Sequence, residues 1–125
     1  MVNEGKSGNL ILDKTFKYAV KIINLYKVLS EEKHEYVLSK QVLRSGTSIG
    51  ANVSEGVEAQ SKKDFISKLS IALKEACETK YWLNLLKETS YISNDEGITL
   101  LNDLNEIIRI LRSILITSKQ RIDKN

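Results

Sequence analysis

Proline is absent from this chain of 125 residues, cysteine and histidine occur once each, and aromatic residues make up only 6%. Without proline the usual punctuation of loops and edge strands is missing, and no Asn-Gly or Asp-Gly pair separates alternating segments, which excludes a hairpin-built β fold. Cys77 stands alone and cannot close an intrachain disulfide, which fits a reducing compartment. The first eight residues carry no apolar run of the secretion type, and a cytoplasmic location is the expectation. Nor does any uncharged stretch approach the roughly 20 residues needed to span a bilayer. Arg109, Arg112 and Lys119 interrupt the most hydrophobic region, so no membrane association is expected. The excess of 19 Lys and Arg over 16 Asp and Glu gives a formal charge of +3, too small to demand an acidic partner.

What is present is helical periodicity. After a leader over about residues 1–10, expected to be flexible, Asp13 is predicted as the N-cap of a first helix with the stripe Phe16, Ala19, Val20, Ile23, Tyr26 and Val28 or Leu29. Ser30 followed by Glu31 and Glu32 reads as the start of a second helix, whose positions Leu38, Val42, Ile49, Val53 and Val57 keep one face only if Gly46 lies on that face too. Ser61 with Asp64 predicts the start of a third helix, running through Phe65, Leu69, Ala72, Leu73, Ala76, Leu83 and Leu86. Ile66, Cys77, Tyr81 and Trp82 widen its apolar arc enough for contact on two sides, either in the core or between subunits. Ser93 with Glu96 forms a capping box before Leu100, Leu101, Leu104, Ile107, Ile108, Leu111, Ile114 and Leu115. Four such helices with short links predict an all-α, antiparallel up-down-up-down four-helix bundle, one domain over 1–125 with a frayed tail over about 120–125.

The segment from Arg44 to Gly56 combines low helix propensity with helical periodicity, so tertiary contacts must hold it. Gly46 and Gly50 fall on adjacent turns and leave a flat strip for close helix packing, while the spacing of a phosphate-binding P-loop is missing. Arg44, Ser48, Asn52 and Glu55 line a polar ridge that can pair with Glu75 or Glu78 of the third helix. A catalytic reading of that ridge lacks a nucleophile and a base. The Glu-x-x-Glu pairs at 55/58 and 75/78 suggest a di-iron bundle, but the histidines of such a site are missing, so neither metal nor cofactor is expected. His34 reads as a surface residue and Cys77 as a small buried hydrophobe. The cations are segregated. Lys14, Lys17 and Lys21 share a face of the first helix with no acid between them, Lys62 and Lys63 open the third helix, and Arg109, Arg112, Lys119 and Arg121 load the second half of the fourth. Such rows can follow a nucleic-acid backbone, RNA or DNA, and they can equally be a solvated exterior.

The run Ser39-Lys40-Gln41-Val42-Leu43-Arg44-Ser45-Gly46-Thr47-Ser48-Ile49-Gly50-Ala51-Asn52-Val53-Ser54-Glu55-Gly56 resembles the second-helix signature of the four-helix bundle proteins that include those encoded in intervening sequences of bacterial 23S ribosomal RNA genes. Ala59 to Phe65 and Ile71 to Leu83 resemble that family's third-helix signature. The resemblance implies a bundle that assembles as a homopentameric ring and has no catalytic activity. A related branch, the accessory variability determinant of diversity-generating retroelements, is a basic pentamer that binds nucleic acid and partners a reverse transcriptase. Its strongly basic surface exceeds the +3 found here. Two roles follow as expectations: a self-associating bundle that binds nucleic acid through its Lys/Arg rows, and a scaffold or accessory subunit with a protein partner.

Overall fold

In the computed structural model the described residues are 2–123, with side chains described over 9–121. Four helices account for nearly all of them: α1 (Val2–Lys27), α2 (Leu38–Val57), α3 (Lys62–Glu88) and α4 (Asn94–Asp123), with a π-helical turn at Val28–Glu32 continuing α1. The backbone of the expected leader is helical from Val2 and that of the tail to Asp123. Met1, Lys124 and Asn125, and the side chains of 2–8 and 122–123, lie outside the described residues.

Neighbouring helices run in opposite directions. On α1 and α2, Gly46 faces Ile22 and Gly50 faces Thr15, so the residue order reverses across the seam. Across α2 and α3, Ser45 meets Thr79 while Glu55 meets Lys68. One core fills the interior, built from Ile11, Ile22, Leu25 and Leu29 of α1 and its turn, Val42, Ile49 and Val53 of α2, Leu69, Ala72, Ala76, Leu83 and Leu86 of α3, and Leu104, Ile107 and Leu111 of α4. Burial of these side chains supplies the main drive to fold, since each removes apolar surface from water. The four-helix bundle stands, and the core positions expected on α2, α3 and α4 lie on its inner face.

On α1 the structure corrects the reading. The helix begins at Val2, so Asp13 lies in its interior and caps nothing. Its buried stripe is Ile11, Thr15, Tyr18, Ile22, Leu25 and Leu29, whereas Phe16, Val20 and Ile23 are 69%, 45% and 40% exposed. The two stripes have the same helical spacing, and the inner one carries Ile11, Ile22, Leu25 and Leu29 together with Tyr18. Its hydroxyl, at the far end of a buried ring, donates to the carbonyl of Leu100 at 3.0 Å. Burial, and secondarily the charge of Asp103, holds that phenol above its ordinary range, so it remains a neutral donor.

The start of α2 is corrected too. Ser30, Glu31 and Glu32 belong to the π-helical turn that ends α1, where the N–H of Lys33 donates to the carbonyl of Val28 and that of Glu35 to Leu29. His34 then reverses the chain with φ of 54°, a left-handed value uncommon outside glycine, and its Nδ1 lies 3.0 Å from the Tyr36 hydroxyl. Glu35 caps α2, its carboxylate accepting from the N–H groups of Val37, Leu38 and Ser39 at 3.2, 3.1 and 2.7 Å. Burial alone would raise its pKa. The backbone donors of Ser39, Leu38 and Val37, with the Ser39 side chain, outweigh that and hold it below the ordinary carboxylate range. The other starts follow local chemistry: Ser61 Oγ accepts from the N–H of Asp64 and Ser93 Oγ from that of Glu96, each at 3.1 Å. At the end of α3, Ser90 takes φ of 64° while the N–H of Tyr91 donates to Leu86 and that of Ser90 to Lys87, a Schellman closure made without glycine.

Candidate nucleic-acid interface

Two of the three cations in the α1 row meet acids of another helix, and the third meets an acid of its own. Lys14 pairs with Glu106 at 2.5 Å and Lys21 with Asp103 at 2.6 Å, both on α4, while Lys17 pairs with Asp13 one turn back at 2.9 Å. The expectation of a row without acids is therefore corrected: its charge is compensated, and it works as a seam between α1 and α4. Mutual attraction across a solvent-exposed seam is screened by salt and is worth little per pair.

The second half of α4 differs. From Ile107 to Arg121 the sequence contains no acid, and Arg109, Arg112 and Lys119 are exposed and, among the described residues, without an ion pair. From Arg109 to Lys119 the α4 backbone rises about 15 Å, enough to face two or three successive phosphates. At the start of α3, Lys62 is half-buried and Lys63 exposed.

The polar ridge of α2 is a chain of local bonds with one cross-helix anchor. Arg44 lies between Glu75 at 3.4 Å and Glu78, a guanidinium spanning two carboxylates of α3. Ser48 Oγ donates to the carbonyl of Arg44 at 2.6 Å and Asn52 Nδ2 to that of Ser48 at 2.9 Å, so both side chains turn back onto their own helix. Glu55 sits 3.8 Å from Lys68. Below the ridge Thr79 Oγ1 donates to Ser45 Oγ at 2.9 Å in a fully buried contact. These bonds satisfy groups whose desolvation would otherwise be costly. Among the described residues no group of three His, Cys, Asp or Glu side chains is arranged to hold a metal ion.

Close packing is visible at the glycines. A Cβ on Gly46 would stand 2.9 Å from Ile22 Cγ2, and one on Gly50 3.3 Å from the Thr15 carbonyl oxygen, so α1 and α2 approach closely along this strip. Tyr81 and Trp82 pack edge to face with ring centroids 5.1 Å apart. Trp82 lies partly buried against the core and Tyr81 is 59% exposed. His34 is exposed. Cys77 is exposed as well, which corrects its expected burial: it lies one position beyond the inner face that Ala76 occupies.

One surface was missed altogether. A groove of about 630 Å³ runs between α1 and α2, lined by Leu12, Asp13, Phe16 and Ala19 on one side and Thr47, Gly50, Ala51 and Ser54 on the other. Its signal is in the sequence, because α1 carries apolar residues on two stripes and a single core can bury only one of them.

Fold and surface together define an all-α four-helix bundle with paired charges between helices and a long basic face on its last helix. The chain belongs to the family of 23S rRNA-intervening sequence proteins, whose pattern matches residues 8–113. It is similar to the crystal structure of a protein of unknown function from the S23 ribosomal protein family of Bacteroides thetaiotaomicron VPI-5482. The two share 54% sequence identity and a TM-score of 0.86, over 87% of this chain and 97% of that one. No curated protein matches the sequence. Among the described residues no helix is long and apolar enough to cross a membrane.

Proposed function

We propose that this protein is a non-enzymatic, self-associating bundle that binds the backbone of structured RNA or DNA, with the outer face of α4 as the contact surface. The observation that carries the reading is the acid-free stretch from Ile107 to Arg121 with Arg109, Arg112 and Lys119 exposed along it. The 23S rRNA in the family's description favours RNA as the first ligand to try. The lysines of α1, already neutralised by Asp13, Asp103 and Glu106, contribute little in this reading. No aromatic side chain lies in the Ile107 to Arg121 stretch, so contact is with phosphates and not by stacking on bases.

Assembly of several copies, five by the family resemblance, would multiply these faces and raise avidity without new contacts. Binding should weaken steeply with salt: about three phosphate contacts per copy give a slope near −3 in log affinity against log salt. A titration with a structured ribosomal-RNA fragment pool at several salt concentrations tests this, together with Arg109→Gln and Arg112→Gln. Loss of about one unit of slope per arginine supports the reading. Binding that is unchanged by salt or by both substitutions overturns it.

The scaffold reading, with a protein partner or a nucleic-acid enzyme such as a reverse transcriptase, is favoured by one observation, the exposed Tyr81 ring set edge to face against the partly buried Trp82. Capture of a partner that is lost with Tyr81→Ala would support it.

A further inference from the structure

We infer that the outer face of α4 takes double-stranded RNA, lying on its minor groove with uncharged polar side chains against the 2′-hydroxyls and cations against the bordering phosphates. The inference rests on the nucleic-acid reading proposed above and names the form of nucleic acid that this face fits. Along the line of α4 farthest from the core stand Asn102, Asn105, Arg109, Ser113, Ile116 and Gln120, all exposed and at the spacing of one helix face. The rise from Asn102 to Gln120 is about 27 Å. No acid interrupts the row. Asp103 and Glu106 lie to one side, drawn to Lys21 and Lys14 of α1, and Arg112 and Lys119 are exposed on the side away from them.

A face made for phosphates alone would need only cations. This one interleaves them with amides and a hydroxyl, groups that both donate and accept. The asparagines of α2 and α3 are turned back onto their own helices, Asn52 Nδ2 donating to the Ser48 carbonyl at 2.9 Å and Asn84 Nδ2 to that of Lys80 at 3.0 Å. Among the described residues, the side chains of Asn102, Asn105, Ser113 and Gln120 make no hydrogen bond within the protein, so their donors and acceptors are open to a partner. The sugar 2′-hydroxyl of RNA likewise donates and accepts, and DNA lacks it.

Shape selects the same partner. Because α4 packs on both α1 and α3, with axes about 8–10 Å away on each side, it cannot sink into the major groove of B-form DNA, ~12 Å wide and ~8.5 Å deep. The A-form RNA duplex presents instead a wide, shallow minor groove lined by 2′-hydroxyls, on which a helix flush with its neighbours can lie. From Asn102 to Gln120 there is no aromatic ring on which the bases of a single strand could stack.

Fluorescence anisotropy of the intact chain with three duplexes of one sequence, RNA, DNA and 2′-O-methyl RNA, at several salt concentrations tests the inference. The RNA duplex is expected to bind about tenfold more tightly than the DNA. The 2′-O-methyl duplex, which keeps the A-form but has lost the hydroxyl donor, should fall to within about twofold of the DNA. Asn102→Ala combined with Asn105→Ala, which favours the helix and should leave its circular dichroism unchanged, is expected to cost the RNA about tenfold and the DNA nothing, with the salt slope retained. Arg109→Gln should lower the slope on both. Equal affinity for the RNA and DNA duplexes, or a preference for RNA that survives either the two alanines or 2′-O-methylation, overturns the inference and leaves phosphate binding in place. Absence of salt-dependent binding to every duplex overturns the reading on which it rests.

Discussion

The seams of the bundle are of two physical kinds. Where α2 meets its neighbours the contact is steric: Gly46 lies against Ile22, Gly56 has Leu69 and Lys68 within reach of an added Cβ, and Thr79 and Ser45 bond in the fully buried interior. Where α1 meets α4 the contact is held at its rim by long charged side chains, Lys14 to Glu106 and Lys21 to Asp103, above the single bond from Tyr18 to the Leu100 carbonyl. Steric complementarity fixes the register of a seam and resists salt, because packed atoms have no freedom to slide. Charge at an exposed rim orients two helices but contributes little to stability.

Substitutions that attack each seam in turn sharpen this contrast. The largest effect is expected from Ile22→Ala, which empties a fully buried site under Gly46 and should cost about 3–4 kcal/mol in denaturant unfolding. Its neighbour Ile23→Ala, 40% exposed, should cost under about 0.5 kcal/mol to the monomer. Equal losses at the two positions would erase the distinction between the inner and outer stripes of α1.

Gly46→Ala comes next. Crowding of Ile22 costs about 2–3 kcal/mol, of which alanine's better helix propensity returns about 1, leaving a net loss of about 1–2 kcal/mol in thermal unfolding. A stabilised Gly46→Ala would show that the α1–α2 seam is slack.

Glu35→Gln removes the charge that caps α2 and should cost about 1 kcal/mol at neutral pH. The folded-state pKa of Glu35 lies below its unfolded value. Its contribution is therefore complete above the ordinary carboxylate range and fades as pH falls through the lower folded value. Wild type and variant should converge in stability at acid pH, which an unfolding series between neutral and acid conditions reads directly.

The smallest effect belongs to the charged seam. A double-mutant cycle on Lys21→Ala and Asp103→Ala should give a coupling of about 0.5 kcal/mol at low salt that vanishes in concentrated salt. A coupling that persists there would mean that the α1–α4 seam excludes water more than its exposure indicates.

How much of this was legible in the sequence depends on the distance over which each decision is made. The caps at Ser61 and Ser93 could be read because donor and acceptor lie three residues apart, and Gly46 inside α2 because only a helix keeps Val42, Ile49 and Val53 on one side. The face of α1 could not be read in the same way. Phe16, Val20 and Ile23 repeat with the same period as Ile11, Tyr18 and Ile22, and only the bundle distinguishes them, by packing the second set into the core and giving the Tyr18 hydroxyl an acceptor on α4. The basic face of α4 was legible because the sequence from Ile107 to Arg121 carries no acid, and Lys21 was misjudged because 82 positions separate it from Asp103. The start of α2 was hidden by the π-helical turn, which absorbs Ser30 to Glu32 into the end of the previous helix and leaves Glu35 to act as the cap.

The order of the helices has a kinetic consequence. Each helix packs on the one that follows it through a link of a few residues, 33–37, 58–61 or 89–93, so most contacts form between segments that are close along the chain. Chains of such low contact order fold within about milliseconds, since little loop entropy is lost before a contact forms. With no proline in the sequence there is also no isomerisation step of tens of seconds to delay a fraction of the molecules. Refolding of the monomer is expected as one fast phase, which stopped-flow fluorescence of Trp82 reads directly.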